Sequence, residues 1–158
     1  MHSQDLAKTF NEMHMKGLYG EILFILDTCE GFSMFEQVTA PGILMVASAD
    51  FHESAMANTT DDELNTFEQD AFSKELRAFL FEGNYQSKRG FRVSDFPNVF
   101  TIDKVLSHVK LKTTGRPLDQ VLLREYLPHS KIEDVLMGKG IDSNQDGTKF
   151  YNWEDLIQ

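Results

Sequence analysis

The sequence predicts an α/β fold in which helices flank a mostly parallel sheet. Two apolar runs, Ile22 to Leu26 and Ile43 to Ser48, are continuous instead of alternating, which is typical of strands covered on both faces. An amphipathic helix is predicted before the first run, and a longer helix follows the second. Such alternation of helices and strands favours a layered fold whose functional sites lie beyond the carboxyl ends of the strands.

Helical periodicity defines the other early elements. The first helix is predicted to begin at Ser3, a suitable N-cap, with Leu6 and Phe10 on its apolar face and Gly17 near its end. A short helical turn is predicted at Ser33 to Gln37. The longest helix is predicted over 64–80, because seven apolar residues share one broad face: Leu64, Phe67, Ala71, Phe72, Leu76, Phe79 and Leu80.

Later segments are less regular. A shorter helix is predicted over Thr101 to Val109. The run "QVLLREYL", Gln120 to Leu127, fits either a strand or a short helix, and the pattern does not decide between them.

Composition excludes several classes of protein. The chain has 158 residues, enough for one domain with a hydrophobic core. Its formal net charge of -10 argues against a nucleic-acid partner, because phosphate binding needs clustered cations. The single cysteine excludes an internal disulfide, and the sequence shows neither a secretory signal nor an apolar run of the roughly 18 residues that suggest a membrane span.

Cys29 is the residue whose position suggests chemistry. It lies just beyond the first apolar run and follows Asp27, whereas a structural cysteine would be expected inside the run. A thiolate there could attack a carbonyl carbon, and backbone N–H groups of the tight turn, including those near Gly31, could hold the resulting oxyanion. A base is also needed, and the local context places none of the histidines beside Cys29: His2, His14, His52, His108 and His129.

The segment "YGEILFILDTCEGFSMF" resembles the nucleophile segment of the legumain-type cysteine peptidases, which share the caspase-like fold. Within that family, Asp-Thr-Cys followed by Ser33, Met34 and Phe35 is most similar to the catalytic subunits of glycosylphosphatidylinositol (GPI) transamidases. The resemblance continues in register through the segments "KTFNEMHMKGLYGEILF", "APGILMVASADFHES", "FEQDAFSKELRAFL" and "RPLDQVLLREYL".

The resemblance implies a three-layer caspase-like fold with a mostly parallel sheet, present here in part, with the early strands missing. It places a partial peptidase or transamidase domain at 1–128 and an acidic tail of unknown role at 129–158.

The resemblance also implies a function. Cys29 matches the nucleophile, which would form a thioester acyl-enzyme that the amine of a GPI anchor resolves, while Asp27, Ser54 and Asp70 match substrate-pocket residues. The implied substrates are a protein C-terminal signal and the GPI lipid, the implied partners are other transamidase subunits, and the implied location is the endoplasmic reticulum. Alternatives are a legumain-like asparaginyl endopeptidase, in which water resolves the thioester, and a non-catalytic interaction protein.

The sequence departs from the family at one point. The family's catalytic histidine lies in a His-Gly dipeptide before the first helix, and no histidine in this sequence is followed by glycine. Even His2, the nearest to the expected place, is therefore not assigned the catalytic role. We expect a fragment or truncated gene product, in preference to a second chain that supplies the missing half or a homologue without activity.

The tail contains a second, weaker motif. Asp142, Asn144 and Asp146 precede Gly147 in the pattern of the first half of an EF-hand calcium loop, but the second half is displaced by one residue. A turn rich in Asn, Asp and Gly is the favoured interpretation. No other cofactor is expected.

Overall fold

A computed structural model describes residues 2–61, 66–82 and 90–127 of the chain. None of the helices in these ranges combines the length and the apolar character needed to cross a bilayer. The elements are, in chain order, α1 (Ser3–Met15), β1 (Ile22–Leu26), β2 (Ile43–Ala47), β3 (Ala57–Asp61), β4 (Thr66–Asp70), α2 (Ala71–Phe81), α3 (Phe96–Val99), α4 (Ile102–Val105) and β5 (Lys110–Thr113).

The main sheet is mixed, so the predicted mostly parallel sheet is not confirmed. Its strand order is β1-β2-β5; β1 and β2 are parallel and in register from Ile22 opposite Ile43 to Leu26 opposite Ala47. β5 runs antiparallel to β2 on the other side. The sequence did not reveal β5, because Lys110–Thr113 has only four residues and a single apolar side chain, too short a run for a strand pattern.

The core surrounds β2, whose five residues are all fully buried. Because side chains alternate along a strand, Ile43, Met45 and Ala47 share one face, and they join a hydrophobic cluster with Leu6 and Phe10 of α1. The predicted buried strand is confirmed for β2. β1 is only half-buried, and among the described residues it pairs with β2 alone.

Helix α1 is confirmed, although its N-cap is His2 and Ser3 is the first helical residue. The carboxylate of Asp5 accepts a hydrogen bond from the His2 backbone N–H at 3.0 Å. The helical turn predicted at 33–37 is present as a 3₁₀ helix at Gly31–Phe35, two residues earlier in the chain.

The predicted helix over 64–80 is wrong in its first part. Thr66–Asp70 is strand β4, which pairs antiparallel with β3, and the helix begins only at Ala71. Here the hairpin partner overrides the helical spacing of the apolar residues.

The segments after residue 90 also differ from the prediction. The helix expected over 101–109 is confined to α4, because Leu106 adopts a left-handed backbone conformation with φ of +60°. The segment 120–127 forms neither a strand nor an α-helix; 3₁₀ turns lie at Leu118–Gln120 and Leu123–Glu125.

An ion-pair cluster connects this last segment to the beginning of β1. Arg116 Nη2 lies 2.6 Å from Glu21 Oε2 and 2.8 Å from Glu125 Oε2, and the Tyr126 hydroxyl donates to Glu21. The hydrogen bond from Arg116 lowers the pKa of Glu21, despite partial burial, which would raise it. Burial and the hydrogen bond to Glu21 raise the pKa of Tyr126 to about 12.

We expect the Gly42→Ala variant to lose about 3 kcal/mol of unfolding free energy, measured by urea denaturation. Gly42 has φ of +78°, and a Cβ there would lie 2.9 Å from the carbonyl oxygen of Gly20. Gly17→Ala is the matched control, because Gly17 has φ of +64° but no atom within 4 Å of its Cβ position. That control should lose about 1 kcal/mol. Equal losses in the two variants would show that the contact with Gly20 contributes nothing.

We expect the Arg116→Gln variant to lose less stability on acidification than the wild type. Because the folded-state pKa of Glu21 is depressed, its contribution is present above its ordinary pKa of 4.5 and disappears as pH falls through the lowered value. Urea denaturation between about pH 5 and pH 3 measures the difference. Arg124→Gln, a change at an exposed arginine, is the control and should follow the wild-type curve. Identical curves for the Arg116 variant and the wild type would contradict this linkage.

Candidate active site

Cys29 lies in a turn beyond the carboxyl end of β1, and its side chain is exposed. Its Sγ lies 3.8 Å from the carbonyl oxygen of Ala55, in the loop that follows β2. Because β1 and β2 are parallel and in register, both strands end at the same edge of the sheet. The thiol is therefore presented to solvent at the sheet edge where α/β folds place their sites.

The loop 48–55 contacts the turn at each residue from Thr28 to Glu30. The backbone N–H of Thr28 donates to Ser48 Oγ at 3.3 Å, and the backbone N–H of Glu30 donates to the carbonyl oxygen of Glu53 at 2.7 Å. With the contact between Cys29 and Ala55, these bonds define the position of the nucleophile turn, residues 28–30, relative to the loop.

Glu30 has a strained backbone. Its φ of +52° lies in the left-handed region, which a residue with a Cβ adopts only at a cost of about 1 kcal/mol or more. The hydrogen bond to Glu53 helps to offset that cost, and so this turn depends on a partner distant in sequence.

The loop is held in turn by residues 107–110, which lead from α4 into the first residue of β5. Ser107 Oγ donates to the carbonyl oxygen of Ser48 at 2.7 Å, and Lys110 Nζ lies 2.9 Å from Asp50 Oδ2. The His108 ring contacts Glu53. The loop 48–55 thus lies between the nucleophile turn and the segment 107–110 and contacts both.

The Glu53 carboxylate is the most heavily hydrogen-bonded group in the loop. It accepts the backbone N–H groups of Asp50 at 3.0 Å and His108 at 2.8 Å, and its Oε1 lies 2.7 Å from His108 Nδ1. Partial burial would raise the pKa of Glu53, but these hydrogen bonds outweigh it and lower the pKa. Glu53 is thereby favoured as an anion.

Asp27 acts as a cap supplied from a distant part of the sequence. Its Oδ2 accepts hydrogen bonds from the Ser73 backbone N–H at 3.1 Å and from Ser73 Oγ at 2.6 Å, in the first turn of α2. Asp70, the N-cap residue itself, makes no capping side-chain bond. Asp27 therefore satisfies an N–H group that helix geometry leaves without an intrahelical partner.

The three predicted pocket residues have different surroundings in the structure. The Oδ1 atom of Asp27 is buried and has no hydrogen-bond partner among the described residues. Ser54 is exposed and precedes Ala55, which contacts the thiol, while Asp70 lies half-buried at the start of α2. Among the described residues, no hydrogen bond joins any two of these predicted site residues. Their role in binding substrate stays a prediction.

Of the N–H groups of the turn that were expected to hold an oxyanion, those of Gly31 and Phe32 are already bonded. The Gly31 N–H donates to the carbonyl oxygen of Thr28 at 3.1 Å, and the Phe32 N–H donates to that of Ala49 at 3.0 Å. The backbone N–H of Cys29 itself has no acceptor among the described residues. That N–H is the group next to the thiol that is available to an oxyanion.

No histidine in the described ranges contacts Cys29. His2 caps α1, and His14 packs against the Tyr19 ring. His52 Nδ1 is 3.9 Å from Glu30 Oε2, whereas His108 binds Glu53. His129 and the calcium candidates Asp142, Asn144 and Asp146 lie outside the described residues.

Sequence reasoning missed Glu53, Ser73 and His108. Glu53 directly precedes Ser54, a predicted site residue, and that position could have identified it. No local sequence pattern marks His108, because its partner Glu53 lies 55 residues away in sequence. Ser73 likewise binds Asp27 across 46 residues.

The segment that contains these residues matches a known protein family, and the chain is similar to several curated proteins. Residues 1–87, which contain Asp27, Cys29, Ser54 and Asp70, match the Peptidase C13 family. The chain is 31% identical to the GPI-anchor transamidase of Saccharomyces cerevisiae over 136 residues, 85% of this chain and 32% of the relative. It is 28% identical to that of Schizosaccharomyces pombe over 137 residues, 85% of this chain and 35% of the relative.

The human relative is matched over a shorter segment. The chain is 34% identical to the GPI-anchor transamidase of Homo sapiens over 84 residues, 53% of this chain and 21% of the relative. The chain therefore spans about a third or less of the length of these curated relatives.

We expect the Asp27→Ala variant to lose about 1–2 kcal/mol of unfolding free energy, because the N–H of Ser73 loses its acceptor. Asp70→Ala is the matched control at the formal N-cap, and it should change stability by less than about 0.5 kcal/mol. Urea denaturation measures both variants. A larger loss for the Asp70 variant would assign the cap to Asp70 and contradict the role of Asp27.

Proposed function

Because the chain belongs to the Peptidase C13 family, we propose that it is the nucleophile-bearing part of a cysteine-dependent transamidase that attaches GPI anchors to protein C-termini. The observation that supports this most is the exposed Cys29 in a turn held by a neighbouring loop at the carboxyl end of β1. The names of the relatives in Saccharomyces cerevisiae and Homo sapiens supply the reaction class.

The proposed reaction has two acyl transfers. The Cys29 thiolate attacks the carbonyl carbon of the anchor-accepting residue, with the Cys29 backbone N–H as one oxyanion donor. The peptide C–N bond then breaks, the released amine of the C-terminal signal takes a proton, and a thioester remains. The amine of the GPI ethanolamine phosphate attacks this thioester, so that an amide forms, the C–S bond breaks and the thiol is restored with the proton lost by the amine.

The proton transfers need a base, which we propose comes from a segment outside the described residues. The edge of β1 that does not face β2 supports an additional segment at this position. The Ile22 N–H donates to Gly42 and the Leu26 carbonyl accepts from Ser48, so both residues face β2. The backbone groups of Leu23 and Ile25 therefore point away from β2. A further strand on that edge would satisfy them and could bring a histidine to Cys29.

The pocket and the setting of the reaction are part of the same proposal. Asp27, Ser54 and Asp70 are proposed to bind the substrate beside Cys29; the exposure of Ser54, next to the Ala55 that contacts the thiol, supports this. A protein C-terminal signal and a GPI lipid are the proposed substrates. Other transamidase subunits are the proposed partners, and the endoplasmic reticulum is the proposed location.

We expect the Cys29→Ala variant to reduce acyl transfer by about 10³-fold or more, because a methyl group cannot form the thioester. The full chain, assembled with its partner subunits, is incubated with a peptide that ends in an anchor signal, and hydrazine replaces the GPI amine. The wild type should give a peptide hydrazide and an acyl-enzyme mass that hydroxylamine removes. Thr9→Ala, a change at an exposed residue of α1, is the control and should retain activity.

The products distinguish the alternatives. A free peptide acid as the main product would overturn the transamidase assignment in favour of an endopeptidase, in which water resolves the thioester. Assembly into the complex without any acyl-enzyme on Cys29 would instead show a non-catalytic interaction protein.

A further inference from the structure

His108 is bound to both oxygens of a single carboxylate. Its backbone N–H donates to Glu53 Oε2 at 2.8 Å, and its ring Nδ1 lies 2.7 Å from Glu53 Oε1. The second contact belongs to the side chain, whereas the first is available to any residue with a backbone N–H. The ring contact is thus the part of this interaction that requires histidine or another side-chain donor.

Glu53 connects His108 to the nucleophile turn. While its carboxylate binds His108, its backbone carbonyl accepts the N–H of Glu30 at 2.7 Å. Glu30 directly follows Cys29 and has the left-handed φ of +52°. A movement of the Glu53 backbone therefore displaces the acceptor on which this strained backbone depends.

We propose that His108 is a positioning residue that, through Glu53, keeps the turn 28–30 in the geometry in which Cys29 attacks its substrate. The role in attack rests on the proposed function above, whereas the effect on the turn does not. His108 does not touch the thiol in this arrangement. Its contacts tether the Glu53 carboxylate to residue 108 and so limit movement of the Glu53 backbone, whose carbonyl in turn restricts Glu30.

Amide hydrogen exchange tests the effect on the turn directly. In the ¹⁵N-labelled full chain, His108→Ala should accelerate exchange of the Glu30 amide by about tenfold or more, because a hydrogen bond to a charged group is lost. The β2 amides should change by less than about twofold. His108→Asn should restore the wild-type rate, because its side-chain N–H can take the place of the Nδ1 donor. His14→Ala is the control at an exposed histidine of α1.

Thiol chemistry tests the effect on attack. The chain has one cysteine, so every thioether adduct reports on Cys29. In His108→Ala, reaction with a peptidyl chloromethyl ketone based on the anchor signal should slow by about tenfold or more, because attack on a bound peptide requires one orientation. Reaction with iodoacetamide, a small reagent that can approach from many directions, should change by less than about twofold. His108→Asn should again restore the wild-type rate.

Each outcome supports or overturns the proposal. It is overturned if the Glu30 amide exchanges at the wild-type rate in folded His108→Ala, or if the β2 amides accelerate equally, since that would show a general loss of stability. If His108→Ala does not fold, Glu53→Gln decides in its place, because it keeps the side-chain size while removing the charge that His108 binds. If the wild-type chain, assembled with its partner subunits, does not react with the peptidyl reagent, the proposed function is refuted, whereas the exchange result still tests His108.

Discussion

The complete burial of β2 is the constraint on which the site depends. All five of its side chains are inaccessible to solvent, and both of its edges are paired, in parallel with β1 and antiparallel with β5. Its ends are therefore fixed, and the loop that leaves its carboxyl end must pass between the ends of its two neighbours. That loop meets the nucleophile turn on one side and the segment 107–110 on the other.

The consequence is a site assembled from contacts distant in sequence. Glu30 adopts a backbone conformation that is unfavourable in isolation, and its N–H is bound by a carbonyl that the loop supplies. Asp27 connects the beginning of the turn to the first turn of α2 through Ser73. Held at both ends, the turn leaves the Cys29 thiol exposed without leaving its backbone free to rearrange, which suits a nucleophile that must meet a carbonyl in one orientation.

The elements predicted correctly from the sequence have signals that do not need a partner. The spacing of Leu6 and Phe10 defines α1, and the unbroken apolar runs define β1 and β2. The elements that were predicted wrongly or not at all are strands that depend on a pairing partner. Thr66–Asp70 has apolar residues at helical spacing, yet it becomes a strand because β3 pairs with it, and β5 is too short and too polar to be recognised without β2 beside it.

The sequence by itself determined the α/β class, the two strands β1 and β2 and the place of Cys29 just beyond the first strand, because these follow from local hydrophobic patterning. The tertiary structure alone decided the direction of β5 and the partners of the turn. It also decided which N–H groups near the thiol are already bonded and which one is available. The physical reason is that hydrogen bonds between Glu30 and Glu53, or between Asp27 and Ser73, join residues that only the folded chain brings together.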